Sequence, residues 1–64
     1  MILKITMNDG TNFTSRPNNI LTYIVPDWIT IEDITSITEY EATDVTPRHT
    51  YSANPETRKL ERCV

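Results

Sequence analysis

Sixty-four residues, 38% of them hydrophobic, allow one small domain with a thin core. A chain this short buries only roughly 60% of its unfolded surface, so such domains commonly lean on a disulfide, a metal or a partner. Cys63 is the only cysteine and His49 the only histidine. That leaves neither an internal disulfide nor the four ligands of a structural zinc site. No cofactor or metal is expected, and support is expected from a second copy or from another protein.

The first element is a hairpin. Side chains alternate along a strand, so Leu3, Ile5 and Met7 share an apolar face, and Ile2, Lys4 and Thr6 share the other. Phe13 is the one large apolar residue of the returning strand. A two-residue turn at Asp9-Gly10 would put Phe13 on the polar face. A three-residue turn, Asn8-Asp9-Gly10, pairs Ile5 with Phe13 and brings all four apolar residues to one side. The phase therefore predicts a type I turn closed by Gly10 in the left-handed region, as a G1 bulge.

Arg16-Pro17 ends the hairpin, because proline cannot donate to a ladder. "ILTYIV", residues 20–25, fits a short helix with Ile20, Leu21 and Ile24 on a buried stripe, or a short buried strand. The Pro and Asn residues before it and Pro26 after it favour the helix. "DWITIEDITSITEYEAT" is the most strand-like stretch. Ile29 and Ile31 alternate with polar neighbours, but Ile34 and Ile37 break that alternation. Strand, a tight turn at Glu32-Asp33, and strand is the expected arrangement. Its rival is a single helical turn with Thr30 as N-cap. His49 to Ser52 reads as a short edge strand behind Pro47. "NPETRKLERCV" opens with helix-start grammar, Asn54 then Pro55, and is expected as a terminal helix or a tail over 54–64. The expected fold class is thus α+β, mostly β: an N-terminal β-hairpin, a short helix, two further antiparallel strands and a short C-terminal segment, in a single domain with a 1–53 core.

No apolar run approaches the length of a membrane span, and residues 1–7, broken by Lys4 and Thr6, do not read as a signal peptide. With a lone cysteine, these features point to a cytoplasmic setting. Asn12-Phe13-Thr14 is then a chance match to a glycosylation sequon.

Charge is the feature above background. The net of −3 hides a middle segment, residues 17–47, that carries Asp27, Glu32, Asp33, Glu39, Glu41 and Asp44 without a single Lys or Arg. Such a segment projects negative potential. Asp27, Glu32, Asp33, Glu39 and Glu41 are therefore expected to complement a partner's charge, with Trp28 and Tyr40 (and Tyr23 beside them) as aromatic anchors. The ordinary explanation is a solvated sheet face whose charge deters aggregation, and a lone Trp is more often core than contact. Imitation of nucleic-acid phosphate is a further possibility. Glu32/Asp33 and Glu39/Glu41 lack a paired His or calcium-loop spacing, so no catalytic residues are expected. Arg48, His49 and Tyr51 with the basic tail are a thin footprint for nucleic acid on an acidic chain.

"MILKITMNDGTNF" followed by "DWITIEDITSI" resembles short phage- or prophage-encoded accessory proteins. These open with a hairpin built on "DGT" and later carry an aromatic–Ile strand and two Ile three apart. The likeness covers about residues 1–41 and transfers no site residues. It implies a small viral protein that binds and inhibits or modulates a host protein in the host cytoplasm. The expected function is accordingly a non-enzymatic protein-binding module acting through an acidic, aromatic-bearing surface. The alternative is an assembly protein that self-associates through exposed sheet edges.

Overall fold

The computed structural model describes residues 1–41 and 46–63. It begins with the hairpin that the apolar phase requires: β1 (Ile2–Met7) and β2 (Asn12–Ser15), with Ile5 opposite Phe13. Met7 N–H donates to Thr11 O at 2.8 Å and Gly10 N–H to Met7 O at 3.0 Å. Gly10 has φ +90, a conformation that a side chain would strain. Asp9 Oδ1 accepts from Thr11 N–H at 2.9 Å and tightens the turn from within.

Three more strands extend the sheet: β3 (Ile34–Tyr40), β4 (Pro47–Ala53) and β5 (Leu60–Arg62). All pairings are antiparallel, in the spatial order β2-β1-β3-β4-β5. Leu3, Ile5, Ile37 and Tyr51 project from one face into the core. The other face carries Lys4, Thr6, Asn12, Thr14, Ser36, Thr38 and Tyr40, by alternation along the strands. No helix is long and apolar enough to cross a membrane among the described residues.

The β-rich class is as expected, but the α component is absent among the described residues. Residues 20–25 form neither a helix nor a strand. A single 3-10 turn, Ile20–Thr22, is capped by Asn19, whose Oδ1 accepts from Leu21 N–H at 2.9 Å. Leu21 and Ile24 are exposed; Val25 and Ile29 instead complete the core. The eight residues between Pro17 and Pro26 are too few to repay the nucleation of a helix, so the segment is fitted to the sheet residue by residue. The strand expected at Ile29 and Ile31 is replaced by an irregular stretch and a second 3-10 turn, Ile31–Asp33, with Thr30 at its N-cap. That is the rival arrangement, without a side-chain cap bond.

The Ile34/Ile37 spacing has a different solution from the one expected. Register slips between Thr6 and Met7, so that Met7 faces Ile34 while Thr6 faces Ser36. Thr35 is the extra residue of a β-bulge, which lets two isoleucines three apart turn to the same side. β4 is an interior strand, not an edge, with Pro47 as its first residue, where a missing N–H is tolerated. The terminal helix expected over 54–64 is also absent among its described residues, 54–63. Asn54 Oδ1 accepts from Glu56 N–H and Thr57 N–H, but Arg58 at φ 61 leaves helical geometry and the chain returns as β5.

Candidate functional site

The segment between β2 and β3 carries most of the interest, and one arginine holds it down. Arg58 Nε donates to Val25 O at 3.0 Å, and Nη2 donates to Pro26 O at 2.6 Å and also to Ile29 O. Val25 N–H returns a bond to Arg58 O at 2.9 Å. These carbonyls lie on either side of Asp27 and Trp28. With Val25 and Ile29 buried on the sheet and their backbones pinned from below, Trp28 has nowhere to go but outward. Its residue surface is 66% exposed.

Trp28 is not free-swinging. Its ring meets Phe13 edge-on, centroids 4.8 Å apart at 80°, the geometry that aromatic quadrupoles prefer. The two rings form one wall of a groove of about 380 Å³ whose remaining lining includes Met7, Asp9, Thr30 and Asp33. Asn8 ties its two turns together. Asn8 N–H donates to Asp33 O at 2.7 Å, Asn8 Nδ2 to Glu32 O at 3.4 Å, and Thr35 Oγ1 to Asn8 Oδ1 at 2.6 Å.

Asp9 and Asp33 are the ionisable residues of the lining, and Asp27 and Glu32 are exposed on the same segment. Among the described residues, none of these four carboxylates makes an ion pair with a Lys or Arg. Hydrogen bonds from the Thr11 side chain and then its backbone N–H hold the Asp9 carboxyl below its ordinary value. Its negative charge is thus secured by the turn itself.

The other expected residues lie elsewhere. Glu39 sits on β3 five residues beyond Ile34, roughly 16 Å along the strand, and is 6% exposed. Tyr51 O–H donates to its Oε1 at 2.6 Å. Arg48 Nη1 lies 3.7 Å from Glu39 Oε2 and 3.2 Å from Glu41 Oε1. A bulge between Glu39 and Tyr40, with Arg48 as the extra residue, turns that guanidinium toward both carboxylates. Burial first, then the hydrogen bond to Glu39 and its negative charge, raises the Tyr51 phenol above its ordinary value. Tyr40 alternates with Glu39 and so lies on the opposite face of the sheet, while Tyr23 is half-buried with its hydroxyl 3.3 Å from Ser15 Oγ.

The structure therefore gathers Asp27, Trp28, Glu32 and Asp33 on one segment and separates Glu39, Tyr40 and Glu41 from them. Asp44 lies outside the described residues. Sequence reasoning missed Asp9, Phe13 and Met7 as groove residues. The hairpin phase had already turned Phe13 and Met7 to the core side, but nothing in the spacing from Phe13 to Trp28 announces their contact. No group of three or more His, Cys, Asp or Glu able to hold a metal ion occurs among the described residues. Comparison with protein-family models, with curated proteins and with solved structures finds no match.

Proposed function

We propose that this chain is a small non-enzymatic binding module that grips a basic partner protein through the Trp28 groove. One observation carries the reading: an indole left two-thirds in water, yet braced edge-on by Phe13, on a groove whose charged lining is acidic. Burying such a ring is worth about 2–3 kcal/mol or more, and fixed aromatics ringed by charge are the usual anchors of interfaces. The unpaired carboxylates around it would steer a cationic partner and speed encounter.

A host protein as the target, and inhibition or modulation as the outcome, follow from the resemblance to phage-encoded accessory proteins. Nucleic-acid mimicry has less support, because it needs a free row of carboxylates and Glu39 and Glu41 share Arg48.

The test is capture of partners from lysate at low salt, with the captured protein identified and re-bound in purified form. Trp28→Ala and Asp33→Lys are expected to weaken the purified interaction at least 10-fold, and added salt to slow association. Glu41→Lys leaves it largely intact. Equal binding by wild type and Trp28→Ala would remove the reading.

A further inference from the structure

We infer that the occupant of the groove is an extended basic segment of the partner, added as a sixth strand to the outer edge of β2. This rests on the groove reading above and specifies how the groove is used.

β2 ends the sheet. The Met7–Thr11 bond and the Ile5–Phe13 pairing set which backbone groups face β1. In an antiparallel ladder hydrogen-bonded and open pairs alternate, so Thr11, Phe13 and Ser15 bond inward. The N–H and C=O of Asn12 and Thr14 then point away from the sheet. Among the described residues, no hydrogen bond covers those four groups.

The two edges of the sheet differ. β5 carries Glu61 and Arg62 and follows Lys59, charges of the kind that deter strand addition. β2 reads Asn-Phe-Thr-Ser, with neither charge nor proline. It is short, so a visitor gains at most a few backbone bonds and needs side-chain contacts as well. The groove supplies them on one face only.

An added strand lies about 4.8 Å from β2. Its residues alternate, so every second side chain falls on the Phe13 side, toward the Phe13–Trp28 wall and Asp9, with Asp33 farther across the sheet adding its charge to the same groove. Lysine or arginine fits there, with the alkyl stem on the rings and the cation near the carboxylates. The intervening side chains lie beside Asn12 and Thr14, which suits small polar β-formers. A second copy of this chain is the poorer occupant. Antiparallel pairing of β2 with itself would bring two acidic grooves together.

The probe is the peptide acetyl-(Lys-Thr)3-amide, titrated at low salt against the full chain with Trp28 fluorescence as readout and amide exchange at Asn12 and Thr14 as the positional readout. Saturable binding that slows exchange at both amides is expected. Methylating the threonine backbone nitrogens, or changing Thr14→Pro in the protein, is expected to weaken it at least 10-fold. Thr14→Pro leaves the β1 ladder intact, and far-ultraviolet dichroism checks this. Replacing Lys by Glu in the peptide is expected to abolish binding.

If binding falls with Trp28→Ala but ignores N-methylation and Thr14→Pro, strand addition is wrong and the groove reading survives. Indifference to Trp28→Ala as well would overturn both. Equal binding of the Glu peptide, no saturation below millimolar peptide, or sedimentation showing β2-dependent dimers that exclude the peptide would each overturn the basic-strand assignment.

Discussion

Two arginines separate the acidic middle of this chain into regions of opposite character. Arg48 directs its guanidinium at carboxylates, and Glu39 and Glu41 share its single positive charge. Arg58 directs its donors at the backbone carbonyls of Val25, Pro26 and Ile29. It shapes the loop under Trp28 and leaves Asp9, Asp27, Glu32 and Asp33 unneutralised. The same residue type thus turns one acidic cluster into a structural joint and keeps another available to a partner. Counting charges along the sequence cannot see that difference, because it depends on which acceptors a guanidinium reaches.

The contrast can be broken most sharply at Arg58. Arg58→Ala removes three charge-assisted bonds to one segment and should cost about 3 kcal/mol of folding stability by denaturant unfolding. Arg48→Ala, which loses a half-exposed pair with Glu41 and a longer contact to the buried Glu39, should cost about 1–2 kcal/mol. Equal costs would mean that Arg58 does not organise the loop. Next in size is Tyr51→Phe. It leaves a buried carboxylate short of its best donor and should cost about 1–3 kcal/mol. The double change Tyr51→Phe with Glu39→Leu should recover part of that loss, since removing both partners avoids an unsatisfied buried charge.

Asp33→Asn sharpens the comparison from the other side. Its carboxylate is exposed and unpaired, so unfolding should shift by no more than about 0.5 kcal/mol, while association with the Lys-Thr peptide slows and loses salt dependence. The smallest effects are in pH. The Asp9 carboxyl is lowered in the fold, so its contribution is present above its unfolded value and is lost as pH falls through the folded value. The Thr11 amide resonance should report that titration below the ordinary 3.8. The raised Tyr51 phenol works in the opposite sense. Its contribution is complete below the ordinary 10.0 and disappears as pH rises through the folded value, seen as alkaline loss of stability that Tyr51→Phe removes.

Legibility followed the range of the forces involved. The hairpin could be read because its turn is decided by neighbours: one glycine, one phase, and Phe13 needing the company of Ile5. The cover over the sheet could not, because Val25 and Ile29 rather than Leu21 and Ile24 lie in the core of a segment whose carbonyls are bonded by Arg58, 29 to 33 residues away. Ile34 and Ile37 signalled a break in alternation without saying that a bulge at Thr35 would absorb it. For the candidate site, the charge and the indole of Asp27, Trp28, Glu32 and Asp33 were visible. Their partners Asp9 and Phe13 lie across the hairpin and were not.

By itself the sequence determined a β-rich chain, the register of its first hairpin and an excess of negative charge in its middle, since alternation, glycine conformation and ionisation are properties of short stretches. Tertiary structure alone decided which carboxylates stay free, which hydrophobic residues reach the core and where the indole stands. Those outcomes depend on contacts between distant residues, and a guanidinium or a phenol satisfies whichever acceptor the fold brings within about 3 Å of it.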